Sequence, residues 1–301
     1  MTDATELNYN SAAGLRAFLE SRGLGMRKKF GQNFLINPGV RRGLVDALEA
    51  ESGEAVWEIG PGLGAMTHML LQSGHPVRAF EIDAGFARLL RELFPEDTGF
   101  TLVEGDALKT WRTQPAAPYL LGNLPYNIGS ALLADFVEKG LFFKRMVVTV
   151  QREVALRMAA GVGGADYSSF SVLCASAYRV KPLTVIKSAS FYPRPNVDSQ
   201  GVLLELRTDD RGLPSARSLP SCFYPVVRCL FSSRRKTVKN NLTAFFAQRG
   251  KRSGPGSALT AAESAASTLE KSAVDGGLRA ENLSVGDFAV LAKAAEDMGI
   301  L

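Results

Sequence analysis

The stretch Tyr119-Leu120-Leu121-Gly122-Asn123-Leu124-Pro125-Tyr126-Asn127 passes abruptly from apolar to polar. Tyr119 to Gly122 reads as a buried strand, and a helical pattern follows with apolar Ile128, Leu132, Leu133 and Phe136. The polar residues between them therefore occupy a strand-to-helix corner, where open α/β sheets bind their ligands. Pro125 biases Leu124 away from helical backbone, so the Leu124 carbonyl can project from the turn. Asn123 supplies an amide oxygen and Tyr126 a flat aromatic face. Two acceptors and a stacking plate suit an exocyclic amine on a nucleobase. The same residue types also make an ordinary turn, so the rest of the chain has to decide.

Upstream, Val56-Trp57-Glu58-Ile59 is an apolar-rich strand ending in Gly60-Pro61-Gly62-Leu63-Gly64. Glycines let backbone approach a ligand closely, and the helix start after them favours electronegative groups. That helix carries Met66, Met69, Leu70 and Leu71. Val77 to Ile82 reads as the next strand, with Glu81 placed to accept both hydroxyls of a ribose. Gly60, Gly62 and Ala65 also satisfy the dinucleotide fingerprint. On these residues NAD and S-adenosylmethionine both remain open. A helix from Ala84 to Phe94 leads to strand Thr101 to Glu104 and to Gly105-Asp106-Ala107. Asp106 can accept from an adenine amino group, or simply cap the next helix. Four successive strand ends thus carry Gly60, Glu81, Asp106 and Asn123.

The 301 residues, 46% of them hydrophobic, suffice for a large and a small domain with real cores. No apolar run approaches the length of a membrane span. Met1 to Asn10 is polar, with Asp3 and Glu6, and lacks the pattern of a signal peptide. A cytoplasmic protein is expected. Cys174, Cys222 and Cys229 have no paired spacing, and His68 and His75 no metal-ligand pattern, so neither a disulfide frame nor a metal site is expected. A net charge of +5 and a pI near 9.1 permit a polyanionic partner.

Residues 1–25 read as an N-terminal extension with one helix, about Ser11 to Ser21, to which no chemistry is assigned. Arg27-Lys28-Lys29 is a basic triplet ahead of Phe30-Gly31-Gln32-Asn33-Phe34-Leu35, and a helix follows from Pro38 to Glu49. Beyond the Asn123 corner come strand Met146 to Val150, a helix after Gln151, a helix over Tyr167 to Ala177, and strands Val180 to Ile186 and Gly201 to Arg207. Pro193 and Pro195 hold the loop Phe191 to Ser199 extended. Asp209 to Pro214 reads as a linker, and only helical patterns lie past it: Leu219 to Phe231, Ser233 to Phe246, Ala258 to Leu269 and Ser284 to Ala295, with a loop over 250–257. Val238, Leu242, Phe245 and Phe246 define a buried stripe. On that reading Ser232 or Ser233 caps the helix, and Arg234, Arg235 and Lys236 crowd its first turn, where the dipole disfavours positive charge. Phosphate would reverse that penalty, with Lys239 close by; Arg234 falls beside the apolar stripe and is open to a packing role.

These motifs resemble, in fixed order and over nearly the whole chain, the small-subunit ribosomal RNA adenine dimethyltransferase family. The resemblance rests on Gly31 to Leu35, on the glycine turn, on Asn123 to Asn127, on Phe191 to Ser199 and on Arg279 to Ser284. It implies a Rossmann-like, S-adenosylmethionine-dependent α/β catalytic domain over 26–207 and a small all-helical, RNA-docking domain over 208–301. It also implies donor contacts at Asn33, Leu35, Gly60, Gly62, Glu81, Asp106 and Asn123. Transfer would occur at Asn123, Leu124 and Tyr126, with Phe191 on the other face of the target base. Arg234, Arg235, Lys236 and Lys239 would meet RNA. The implied substrate is a pair of adjacent adenosines in a 3′-terminal hairpin loop, within a pre-30S particle, modified by a monomer. Asn196 stands where the family usually has lysine, so one phosphate contact is expected to be weaker. The competing readings are the related large-subunit methylases, an NAD-dependent oxidoreductase and a non-catalytic RNA-binding assembly factor.

Overall fold

The computed structural model describes residues 7–27, 30–95, 98–207, 216–253 and 259–298. The expected linker over Asp209 to Pro214 lies outside them, as do Lys28 and Lys29 of the basic triplet. The described chain divides into two units, Met1–Leu156 with Val180–Leu206, and Arg157–Arg179 with Arg207–Leu301.

The first unit is built on strands β1 (Phe34–Leu35), β2 (Val56–Ile59), β3 (Val77–Glu81), β4 (Phe100–Glu104), β5 (Tyr119–Asn123), β6 (Arg145–Gln151), β7 (Tyr178–Ile186), β8 (Phe191–Tyr192) and β9 (Ser199–Leu206). Its helices are α1 (Ala12–Ser21), α2 (Pro38–Leu48), α3 (Ala65–Gln72), α4 (Ala84–Leu93), α5 (Ala107–Thr110) and α6 (Gly129–Glu138). The main sheet has the order β4-β3-β2-β5-β6-β9-β7. Neighbours from β4 to β6 are parallel, and β9 is antiparallel to β6. Residues of β2 and β5 are almost wholly buried, as strands covered on both faces must be. Trp57 packs among Phe80, Phe136 and Phe143.

The chain turns from β2 to β3 on one side and later returns to β5 on the other. The crevice beyond the carboxyl ends of β2 and β5 is therefore the switch point where ligands bind in such sheets. Register confirms the juxtaposition: Ile59 pairs with Gly122, so Gly60 and Asn123 emerge side by side. Residues 7–25 are no separate extension. Leu7, Leu15 and Leu19 are buried in the core of this unit, Ser11 caps α1, and Arg22 pairs with Glu92.

The remaining helices are α7 (Arg152–Ala159), α8 (Ser169–Ala177), α9 (Phe223–Phe231), α10 (Val238–Ser253), α11 (Ala261–Ser272) and α12 (Val285–Asp297). All but the start of α7 belong to the second unit. The domain boundary expected at residue 207 is thus corrected in one respect, because Arg157–Arg179 joins the C-terminal helices. The reason is packing: Tyr167 and Val172 share a core with Phe223, Val226, Leu242 and Phe288. Ser168, Thr260 and Ser284 each close a capping box. The expected loop over 250–257 is helix as far as Ser253, and residues 254–257 lie outside the described ones. Among the described residues no helix is long and apolar enough to cross a membrane.

Candidate functional site

Three corners converge on an open cleft of about 920 Å³, counted out to solvent. Gly60 and Gly62, Glu81, and Asp106 line it, together with Asn33, Leu35 and Asn123. The glycine turn needs its glycines for two reasons. Gly60 and Gly62 have φ of +68° and +59°, and a Cβ on Gly62 would sit 2.9 Å from the Phe34 ring. A side chain there would strain the backbone and fill the cradle.

Glu81 is 4% exposed. One carboxylate oxygen accepts from the amide of Asp83 at 2.8 Å and the other from that of Gly62 at 3.3 Å. Burial pushes its pKa up to about 7, against the lowering effect of these amides. Glu58, one strand back, is fully buried and is also pushed up to about 7 by burial, opposed by the Thr67 hydroxyl that donates to it at 2.5 Å. Asp106 does both things its position allowed. It caps α5 by accepting from the Leu108 amide at 3.0 Å, and it lines the cleft.

At the fourth corner Asn123 is oriented by the chain near Asn33. Its Nδ2 donates to the Asn33 carbonyl at 2.7 Å, which leaves Oδ1 as the acceptor of the amide. The Leu124 amide donates to the Thr149 carbonyl at 3.0 Å. The amides of Ile128 and Gly129 go to the Pro125 carbonyl, so the start of α6 does not consume that of Leu124. Leu124 has a buried side chain that holds the corner down. Tyr126 is half-buried, its hydroxyl 2.5 Å from Ser199 Oγ. Partial burial raises its pKa, with the Ser199 bond opposing.

A family model described as ribosomal RNA adenine dimethylase matches residues 23–275. The chain belongs to this family. It is 43% identical over 295 residues to a ribosomal RNA small subunit methyltransferase A of Treponema denticola, covering 94% of each. The protein of that name from Treponema pallidum is 45% identical over 289 residues, 94% of this chain and 96% of the other. A crystal structure of a dimethyladenosine transferase from Plasmodium falciparum is similar, with a TM-score of 0.67 and 26% identity over 87% of this chain and 97% of that one. A 23S rRNA methyltransferase shares the fold, with a TM-score of 0.59 and 20% identity over 87% and 99%. The α/β architecture expected from the sequence is thereby that of the rRNA adenine dimethylases.

Two expectations need correction within this family frame. Phe191 pairs through β8 with Leu35 of β1 and is 3% exposed in the core. In this geometry it offers no open face to a base and instead backs the strand that carries Leu35. The basic stretch does not form the first turn of α10 either. Thr237 precedes that helix, its Oγ1 accepting from the Asn240 amide, and Arg234 to Lys236 lie in the turn after α9. The helix start is set from outside: Thr237 bridges to Arg279, and the amides of Val238 and Lys239 donate to Leu278 and Gly276. The buried stripe of Val238, Leu242, Phe245 and Phe246 stands as expected. Arg234 is tied to Glu281 at 3.0 Å, so it staples the Ala280–Asn282 turn, while Arg235, Lys236 and Lys239 are exposed. Asn196 is exposed too.

Sequence reasoning missed the supports. Ser199 orients Tyr126, and Asp198 accepts from Lys187 and the Ser188 amide to close the loop before it. Gln32 bridges the Arg27 amide and Asp83. Gln32, Asp198 and Ser199 lie within motifs read from the sequence, but their supporting bonds were not legible there, because Ser199 meets Tyr126 and Gln32 meets Asp83 only once the chain has folded. Tyr9 and Arg41 were missed as well, although an arginine at i before Leu44 and Leu48 on a buried face was a visible anomaly.

Proposed function

We propose that this dimethylase transfers methyl groups from S-adenosylmethionine to N6 of two adjacent adenosines in the 3′-terminal hairpin loop of small-subunit rRNA. The product is N6,N6-dimethyladenosine, made by a monomer on a pre-30S particle. One observation carries the reading: Gly60, Gly62, Glu81 and Asp106 share a single crevice with an Asn123 amide whose nitrogen is already engaged. The small-subunit names of the relatives at 43% and 45% identity support this substrate over the large subunit.

The residues present fit the donor. Gly60 and Gly62 admit a ligand against backbone, Glu81 would accept from the ribose hydroxyls, and the second oxygen of Asp106 would accept from the adenine amine. Asn33 and Leu35 close the cleft from the β1 side. When bound, the donor would supply an electrophilic methyl group on a sulfonium sulfur. Asn123 Oδ1 and the Leu124 carbonyl accept hydrogens of the target N6, a weak nucleophile whose lone pair is delocalised into the ring. They favour its pyramidal form, whose lone pair makes the N–C bond as the C–S bond breaks. The nitrogen then releases a proton to solvent. The base has to leave its stack to arrive there, and Tyr126 supplies the ring on which it rests. Alignment and placed dipoles provide most of the acceleration.

Parallel calorimetric titrations test the donor. Binding of S-adenosylmethionine without NAD is expected, and tight NAD binding alone would return the chain to oxidoreductase chemistry. For RNA docking, Arg235, Lys236 and Lys239 are the proposed phosphate contacts, and Arg234 acts through the turn it staples. The triple change Arg235→Ala, Lys236→Ala, Lys239→Ala is expected to keep donor affinity and lose affinity for small subunits. Its binding should also depend less on salt, by roughly 0.7–0.9 in log–log slope per lost phosphate contact. Filter binding at several salt concentrations reads both quantities; parent-like values would place docking elsewhere.

A further inference from the structure

We infer that the segment around Tyr9 is part of the donor site and that Arg41 is the positioning residue that holds it there. This rests on the donor reading above. Arg41 lies on the buried face of α2 with Leu44 and Leu48 and is 5% exposed. A guanidinium in such a place is costly unless its hydrogen bonds are made. Nη1 donates to the Leu35 carbonyl at 2.6 Å and to the Tyr9 carbonyl at 3.2 Å, and Nη2 donates to Asn10 Oδ1. Its charge is thus met by amide oxygens rather than by a carboxylate, and one side chain joins α2, β1 and the N-terminal segment.

The consequence reaches the glycine turn. Tyr9, held by its carbonyl, donates its hydroxyl to the Leu63 carbonyl at 3.1 Å. Burial pushes the pKa of this hydroxyl up, so it stays a neutral donor. Leu15 of α1 is buried in the core against which Tyr9 packs. Tyr9, Leu15, Leu35, Arg41 and Leu63 all line the donor cleft. The segment therefore forms the wall of that cleft at Leu63, beside the glycine turn, while Glu81 and Asp106 are given to the nucleoside. The part of the ligand it confines is the α-amino acid portion of the donor. A fork of donors spanning two carbonyls and an amide oxygen is a task lysine performs only in part.

The test compares two ligands that share the nucleoside. S-adenosylhomocysteine carries the amino acid portion, and 5′-methylthioadenosine lacks it. Calorimetry on the full chain is expected to show Arg41→Met binding S-adenosylhomocysteine about tenfold more weakly, with 5′-methylthioadenosine within about twofold of the parent. Arg41→Lys should recover part of the loss. Tyr9→Phe keeps the ring and removes only the bond to Leu63, so it should shift the same ratio by about threefold even if Arg41→Met folds poorly. An unchanged ratio of the two affinities in Tyr9→Phe and Arg41→Lys would overturn the inference and leave Arg41 a strut of the fold. A parent protein that bound neither ligand would instead refute the donor reading, before any variant is made.

Discussion

Asn123→Ala slows methyl transfer by about a hundredfold or more at saturating RNA and donor, the scale seen when one placed dipole is removed from a reacting centre. The expectation follows from the bond between Asn123 Nδ2 and the Asn33 carbonyl, which leaves Oδ1 as the amide's acceptor for the proposed contact to N6. The loss should appear in the single-turnover rate and leave donor affinity within about threefold, since the donor keeps Glu81, Asp106 and the glycine turn. Asn123→Asp is a useful companion. It keeps an acceptor but gives up the amide donor that orients it, so its rate should fall as well. A normal single-turnover rate for Asn123→Ala would contradict the acceptor role.

The second large effect concerns Glu81. Glu81→Gln should weaken S-adenosylmethionine by roughly ten- to hundredfold above neutral pH, the worth of a charge-assisted hydrogen bond. The pH dependence gives a sharper signature. Burial holds the Glu81 carboxyl near pKa 7 in the free protein, and the ionised form is the better acceptor for two hydroxyls. Donor affinity should therefore rise by at most about tenfold between about pH 6 and about pH 8, levelling off above neutrality, and the glutamine variant should be flat. Calorimetry between about pH 6 and about pH 8 reads this directly. Stability runs the opposite way. Glu58 and Glu81 both have folded pKa values raised from 4.5 to about 7, so the stability they contribute is present below the unfolded value and lost as pH rises through about 7. Donor binding and the donor-free fold thus favour opposite ends of this pH window.

The corners were legible because each is local. Gly60 to Gly64, Glu81, Asp106 and Asn123 lie at the ends of short apolar runs, and strand order alone brings them together. Phe191 was less legible, because its burial depends on β8 pairing with β1, a contact between residues far apart in the chain. The start of α10 shows the same limit. Local propensity allowed a helix from Ser233, but the bridge between Thr237 and Arg279 sets it at Val238. Arg157–Arg179 could not be assigned to the C-terminal unit from periodicity, which marks Val172 as apolar without saying which core receives it. The N-terminal segment offered the least. Tyr9 and Asn10 are unremarkable until Arg41 supplies donors to them.

The central claim is methylation of small-subunit rRNA at N6. Its most direct test incubates the purified protein with S-adenosylmethionine and, in parallel, small and large subunits that lack the modification, then maps the methylated positions by mass spectrometry of ribonuclease fragments of each rRNA. The account predicts N6,N6-dimethyladenosine at two neighbouring positions of the 3′-terminal hairpin loop, abolished or strongly slowed by Asn123→Ala. Methylation confined to large-subunit rRNA, or none with the donor demonstrably bound, would contradict it.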